Sequence, residues 1–220
     1  MDSRSGFDKL APIYCLMERL LAGNLLQQAR TAHVETVRHA RSVLMLGEGP
    51  GRLLVQLYQK LPSARFLVLD QSQDMLDQAQ RTLHARFPNP SRVDWLRRDI
   101  MTQGIPEGPY DLITTPFFLD CFTRDQLETL IPSIASHSTR DCDWLLTDFQ
   151  IPVNGRFRQW RAKSIHRIMY VFFQIVTGIK ADHLTDPDSI LQSTGFNRLK
   201  REEFNSGLIR SDHWKRLRPT

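Results

Sequence analysis

Residues 44–54 read LMLGEGPGRLL, and this short stretch decides the fold. An apolar run ends at Leu46, three of the next five residues are glycines, and a second apolar run begins at Leu53. Glycine lets the backbone turn sharply and lets a ligand approach the main chain, where the N–H groups of a helix start face it. The pattern predicts a strand, a tight loop and a helix, with a nucleotide-type ligand at the loop. A plain tight turn is the alternative.

The spacing of the glycines separates the candidate ligands. The dinucleotide fingerprint places its third small residue at position 52, but that residue is Arg52 and the third glycine is Gly51. This disfavours a pyrophosphate cradle. The loop also lacks the Gly-Lys-Ser/Thr ending of a P-loop.

Two acidic residues follow later apolar runs. Asp70 stands about 20 residues beyond the glycines, where a carboxylate accepts hydrogen bonds from both hydroxyls of a ribose. Asp99 and Ile100 end the next run, and an acid beside an apolar residue suits an adenine with its exocyclic amine. A helix cap at Asp70 and a surface Arg–Asp pair at Asp99 are the alternatives.

Short apolar runs alternate with helical patterns along the chain. The predicted buried strands are Ser42–Leu46, Arg65–Leu69, Val93–Leu96, Tyr110–Thr115 and Asp143–Phe149. The clearest helix spans Asp74–Arg86 with Ser72 as its cap, and another begins at Thr123 with capping-box spacing. Such alternation requires right-handed crossovers and a parallel sheet covered on both faces. The tail alternates around Gly207 as a β-hairpin does.

Four segments together carry a resemblance to a known family. They are GEGPGR, LVLDQSQDML, RRDI and YDLITTPFF, in this order and spacing. With them the chain resembles the class I S-adenosylmethionine-dependent methyltransferases over roughly residues 40–150. The opening FDKLAPIYCLMERLL is similar to the helical segment of the small-molecule branch, such as the quinone-biosynthesis methyltransferases, except that Cys15 follows Tyr14 where the branch has Asp.

The resemblance implies an α/β, Rossmann-like fold on one domain. Its expected features are a seven-stranded, mostly parallel sheet with helices on both faces and an antiparallel C-terminal hairpin. Within a single domain of residues 1–220, we expect an N-terminal helical cap, a cofactor-binding core, a lid or substrate insertion and the hairpin. Their expected ranges are 1–40, 41–150, 151–195 and 196–220.

The resemblance also implies the cofactor S-adenosylmethionine, with S-adenosylhomocysteine as product, and residues that bind it. Gly47, Gly49 and Gly51 would lie under the methionine part, Asp70 would hold the ribose, Gln71 and Met75 would flank the adenosine, and Asp99 with Ile100 would hold the adenine. Tyr14 and Thr115 are further candidates for cofactor contact. Family members have an acid two residues before the first glycine, where this chain has Met45. We therefore expect Glu48 to supply the carboxylate for the cofactor's amino group.

Methyl transfer from a sulfonium needs mainly in-line positioning and desolvation, so no catalytic triad or metal site is expected. Asp120 is a candidate base or ligand of a substrate amine, with helix capping as the alternative. Weaker catalytic candidates are His166, His183 and Tyr14, with surface or packing roles as the alternative. The other candidate substrate contacts are Phe118, Tyr170 and Phe173. The segment Thr115-Pro116-Phe117 departs from the motif of methyltransferases that act on nucleic-acid amines, which opposes that branch.

Charge and composition bound the partners. Residues 154–220 carry seven excess positive charges and residues 1–153 carry two excess negative charges. A basic third of this kind suits an anionic substrate, a nucleic acid or a membrane surface, or is simply a solvated face. We expect 156–180, basic and then apolar, to form a lid helix over an apolar pocket. Three separated cysteines and no signal-like N-terminus favour the cytoplasm.

The sequence therefore predicts a methyltransferase acting on a small, partly apolar and anionic or neutral molecule. An RNA methyltransferase and a non-catalytic S-adenosylmethionine-binding protein remain alternatives. Peripheral membrane contact is left open, and no obligate protein partner is expected.

Overall fold

The computed structural model describes residues 24–150 and 184–216. A sheet of seven strands lies at its centre in the order β3-β2-β1-β4-β5-β7-β6. These strands are β1 Ser42–Leu46, β2 Arg65–Asp70, β3 Val93–Arg97, β4 Tyr110–Pro116, β5 Ser138–Phe149, β6 Phe196–Phe204 and β7 Ile209–Arg216. Neighbours among β1 to β5 are parallel, whereas β7 runs antiparallel to both β5 and β6. The predicted α/β fold and its antiparallel C-terminal hairpin are confirmed.

Helices pack on both faces of the sheet. Within the described ranges they are α1 Asn24–Thr31, α2 Arg52–Lys60, α3 Gln73–Arg86, α4 Ile100–Gln103, α5 Arg124–Ser136 and α6 Asp188–Ser193. Single 3-10 turns span Val34–Val37 and Leu119–Cys121. Apolar residues of α2 and α3 form one core cluster with the sheet, and those of α5 and α6 form a second on the other face. This double covering explains why the central strands are apolar on both sides.

The helix starts follow the predicted capping. Ser72 accepts a hydrogen bond from the N–H of Met75, and Thr123 exchanges hydrogen bonds with Gln126 in a capping box. Helix α6 begins at Asp188, whose N–H donates a hydrogen bond to the side chain of Asp186.

The largest boundary difference concerns β5. The apolar pattern predicts a start at Asp143, but the strand begins at Ser138 and pairs there with Tyr110. Its first residues are polar and partly exposed, with a register shift beside them, so they carry no apolar signal. Burial patterns therefore detected only the half of the strand that lies in the core.

Several predictions concern residues outside the described ranges. Most of the helical cap and of the lid insertion lies there, and the division of residues 1–220 into these parts stays a prediction. Among the described residues, no helix is long and apolar enough to cross a membrane.

Candidate active site

Two of the three glycines in the loop between β1 and α2 lie too close to other elements to carry a side chain. Gly47 and Gly51 have positive φ angles of 64° and 86°. A Cβ on Gly47 would lie 2.5 Å from Phe118 Cδ2, and a Cβ on Gly51 would lie 2.8 Å from the Cα of Ala79 in α3. A Cβ on Gly49 would meet no described atom within 4 Å. Gly49 therefore borders open space, while Gly47 makes room for a ring and Gly51 for a helix.

Glu48 points into the protein at this loop. Its side chain is 2% exposed, and Oε1 accepts hydrogen bonds from the N–H groups of Leu53 and Leu54 at 2.9 and 3.1 Å. Burial raises the pKa of this carboxyl to about 7, against the lowering effect of the Leu54 N–H and of nearby Arg30. Oε2 has no hydrogen-bond partner among the described residues. One carboxylate oxygen thus caps α2, and the other is buried without a hydrogen-bond partner among the described residues.

Met45 shows why the usual acid is absent two residues before the first glycine. It is fully buried in the apolar cluster with Val43, Phe66 and Val68, between strands β2 and β4. A carboxylate at this depth would have to lose its hydration among apolar neighbours.

Asp70 ends β2 at the same edge of the sheet. Its side chain is partly buried, and Oδ1 accepts a hydrogen bond from the N–H of Ser72 at 2.9 Å. Ser72 in turn caps α3, so the helix cap is Ser72, while Asp70 braces the turn before it. Gln71 is exposed and Met75 is partly buried beside this turn. All three predicted adenosine contacts therefore lie at the β2–α3 junction.

Asp99 caps a helix, a role that its sequence context did not indicate, and its predicted adenine contact stays a prediction. It is the N-cap of the short helix α4, where its Oδ1 accepts a hydrogen bond from the Met101 N–H at 2.9 Å. Its own N–H donates to Gln103 Oε1 at 3.0 Å. Ile100 next to it is buried in the core. Because Asp99 is partly exposed, its carboxyl group can cap the helix and still contact a ligand.

Thr115 is predicted as a cofactor contact. It is fully buried in β4, and its Oγ1 accepts a hydrogen bond from the indole N–H of Trp144 at 2.9 Å. The Thr115 hydroxyl therefore has its hydrogen-bond partner in the core. A cofactor contact by Thr115 stays a prediction.

The segment after β4 carries the aromatic residues of the site. Phe117 has a φ of 54°, a left-handed conformation that is strained for a bulky residue and common at functional sites. Its ring packs on Phe149 with centroids 5.0 Å apart, and the Arg30 guanidinium lies 5.0 Å from its centroid. Phe118 turns the other way, against Gly47 and Phe122. The rings of Phe117 and Phe118 therefore lie on opposite sides of the segment.

Two acids lie close to each other in the segments that follow β4 and end β5. Asp120 belongs to the 3-10 turn after β4, and Asp148, 2% exposed, lies near the end of β5. Asp148 accepts hydrogen bonds from the N–H groups of Phe118 and Asp120, and the Asp120 carboxyl accepts one from the Phe149 N–H. These reciprocal bonds tie the two strand ends together.

The environment of this pair favours its protonated forms. Burial raises the pKa of Asp120 to about 6 despite the Cys121 thiol, which donates to it, and the Arg210 cation. Burial and then the Asp120 charge hold the pKa of Asp148 well above its ordinary value. Sequence reasoning missed Asp148 and Arg210, although Asp148 had the same signal as Asp70, an acid at the end of a buried strand.

The remaining candidates lie outside the described residues. These are Tyr14, His166, Tyr170, Phe173 and His183. Where the structure describes side chains, it contains no cluster of three or more His, Cys, Asp or Glu suited to a metal ion.

Comparison with known proteins supplies the family. A family model described as a methyltransferase domain matches residues 43–141, from the middle of β1 into β5. This range contains the glycine loop, Asp70, Asp99 and Asp120. The chain contains a class I S-adenosylmethionine-dependent methyltransferase domain. The cofactor of the methyltransferase domain is accordingly S-adenosylmethionine.

Two methyltransferases are among the relatives to which the chain is similar. Demethylmenaquinone methyltransferase of Thermus thermophilus is 29% identical over 113 residues, half of each chain. tRNA1(Val) (adenine(37)-N6)-methyltransferase of Glaesserella parasuis is 31% identical over 121 residues, covering 54% of this chain and 50% of its own. The chain therefore spans about half the length of these curated relatives.

A solved structure has a similar fold. Magnesium protoporphyrin IX methyltransferase from Synechocystis PCC 6803, solved with bound S-adenosylhomocysteine, has a TM-score of 0.67 and 17% identity. The likeness covers 98% of this chain and 100% of that one. At this identity it shows the fold alone, which agrees with the strand order of the sheet.

The residues of the methyltransferase domain fit its cofactor at three points. Open space beside Gly49 leaves room over the loop, and the unpartnered Oε2 of Glu48 offers an acceptor to a cation. Asp70 stands at the adjacent strand end, where a ribose diol suits a carboxylate.

Proposed function

We propose that the protein transfers a methyl group from S-adenosylmethionine to a small, partly apolar molecule by in-line displacement. The observation that carries this proposal is the contact between Phe118 and Gly47, where the Phe118 ring packs against the cofactor loop. An acceptor lying along this aromatic segment would be beside the loop. The demethylmenaquinone methyltransferase relative supports a partly apolar acceptor of this kind.

Each part of the proposed reaction has a residue of this chain to perform it. Asp70 would hold the ribose, with Gln71 and Met75 beside it, and Asp99 with Ile100 would hold the adenine. When bound, the cofactor supplies an electrophilic methyl on a sulfonium, with its leaving group built in. The rings of Phe117, Phe118, Phe122 and Phe149 would exclude water and favour the cationic methyl donor.

Asp120 is the proposed base for an acceptor that must lose a proton. A pKa of about 6 keeps it ionised at neutral pH, yet close enough to that pH to exchange a proton efficiently. A hydrogen bond from the Phe149 N–H holds this carboxyl near the end of β5. An acceptor hydroxyl or amine within hydrogen-bond reach would pass its proton to this carboxylate.

The tRNA methyltransferase relative favours RNA as a second candidate substrate. The positive charge of the C-terminal third would support RNA binding, but the described cations of this region already have partners. Arg198, Arg201 and Arg210 pair with Asp186, Asp188 or Asp212. Lys200, Lys215 and Arg216 likewise have partners inside the protein. Cations already committed to internal pairs contribute less to a phosphate-binding surface.

The test is to incubate the purified protein with radiolabelled S-adenosylmethionine and either cell extract or total RNA. We expect label in a product that partitions into organic solvent, and none in RNA. The Asp70→Ala variant serves as the control for enzyme-dependent label. Labelled RNA, together with RNA binding that weakens steeply with salt, would favour the second candidate. Cofactor binding without labelled product across varied extracts would favour a non-catalytic binding protein.

A further inference from the structure

Glu48 is a buried acid with an incomplete set of hydrogen bonds. Its Oε1 accepts two backbone N–H groups at the start of α2, while its Oε2 has no hydrogen-bond partner among the described residues. Ionising a carboxyl whose second oxygen is desolvated and unpartnered is costly. The ligand-free protein therefore favours the protonated form more strongly than water does.

Two charged side chains from other elements act on this carboxyl. Arg30 of α1 favours its ionised form, as do the N–H groups of Leu53 and Leu54, whereas Asp70 of β2 disfavours it. Burial outweighs the favourable contributions and raises the pKa of Glu48 to about 7. The group is thus balanced near neutrality, and one additional positive charge at Oε2 would shift it to the ionised form.

We propose that Glu48 exchanges its proton for the α-ammonium group of S-adenosylmethionine when the cofactor binds. The O–H bond of the protonated carboxyl breaks, the proton passes to the solvent buffer, and an ammonium N–H donates a hydrogen bond to the carboxylate. No other reactant is needed. The inference rests on the proposed function, because it assumes that this loop binds the amino-acid part of the cofactor.

Met45 strengthens the assignment by elimination. The position before the loop that could have held an acid is filled by a side chain buried in the apolar cluster. Asp70 lies at the end of the neighbouring strand and braces the turn to α3. Glu48 is therefore the carboxyl group that the β1–α2 loop itself provides.

Calorimetry in two buffers of different ionisation enthalpy measures the proton directly. The ligands are S-adenosylhomocysteine, which has the α-ammonium group, and methylthioadenosine, which lacks the whole amino-acid part. Near pH 6, we expect S-adenosylhomocysteine to release close to one proton and methylthioadenosine to release none. Near pH 8 the carboxyl is already ionised, so the release should disappear.

Glu48→Gln is the decisive variant, because its amide oxygen can still cap α2. We expect it to abolish the proton release and to weaken S-adenosylhomocysteine binding about ten- to hundredfold near neutral pH, with methylthioadenosine binding unchanged. The exposed Glu107→Gln serves as the matched control and should behave as the wild type. Unchanged methylthioadenosine affinity also shows that the variant is folded.

The outcomes separate this inference from the proposed function. Binding of S-adenosylhomocysteine without proton release near pH 6, or with equal affinity in Glu48→Gln, would overturn the role of Glu48 and leave the function intact. Failure of the wild type to bind either ligand would overturn the proposed function itself.

Discussion

Gly51→Ala offers the sharpest test of how the glycine loop is built. An added Cβ at Gly51 would lie 2.8 Å from the Cα and 2.9 Å from the carbonyl oxygen of Ala79. These are main-chain atoms of α3, which cannot move aside as the end of a flexible side chain can. We expect overpacking of this kind to cost about 1–3 kcal/mol.

The backbone conformation adds a second cost. Gly51 has a φ of 86°, and a residue with a Cβ in a left-handed conformation is about 1–2 kcal/mol less stable. The two contributions together predict a loss of about 2–5 kcal/mol of unfolding free energy. A typical domain has about 5–15 kcal/mol in total, so the variant should unfold at a clearly lower urea concentration.

Gly49→Ala is the matched control. It has a similar φ of 67°, but its Cβ would meet no described atom within 4 Å, so only the conformational cost applies. We expect a loss of about 1–2 kcal/mol in urea unfolding of the ligand-free protein. Equal losses in the two variants would refute the view that Gly51 is required by the packing of α3 rather than by a ligand.

Three further predictions concern individual side chains. Asp70→Ala should weaken S-adenosylhomocysteine binding at least tenfold in calorimetry, because the ribose hydroxyls lose a charged acceptor; an unchanged affinity in a folded variant would exclude the ribose assignment. Asp120→Asn should lower the methyl-transfer rate about 10²–10⁴-fold. The wild-type rate should rise with pH and reach half its maximum near pH 6, because the Asp120 carboxyl, with its raised pKa, loses its proton there and becomes the base. A rate that does not change with pH around 6 would argue against this base. Thr115→Val should reduce the unfolding free energy by about 1–3 kcal/mol, because the buried Trp144 N–H loses its acceptor, while cofactor affinity stays the same; a selective loss of affinity would restore Thr115 as a cofactor contact.

Local signals predicted most of the fold. The strand at Ser42–Leu46 and the caps at Ser72 and Thr123 depend on neighbouring residues only, and the structure has them as predicted. The start of β5 was missed because its first residues pair with β4 without entering the core. A polar stretch that forms a strand only through pairing with its neighbour has no apolar pattern from which the strand could be predicted.

A residue of the candidate site could be predicted from the sequence only where its position at the end of a strand indicates its role. Asp70 was predicted in this way, whereas Asp148 had the same signal but was taken as part of a core strand. Thr115 shows the limit of the argument, since alternation along β4 does not reveal that Trp144 of β5 is its hydrogen-bond partner. That pairing joins residues far apart in sequence.

The sequence by itself determined the alternation of strands and helices, the glycine loop and the class of cofactor, because spacing and apolar periodicity are local properties of the chain. The tertiary structure decided which groups meet at the carboxyl edge of the sheet. It buried Glu48 with one oxygen that has no hydrogen-bond partner in the described part of the chain, placed Asp120 against Asp148 and turned Phe118 onto Gly47. The physical reason is that desolvation and close packing, which set the charge of an acid and the need for a glycine, depend on neighbours brought together by folding.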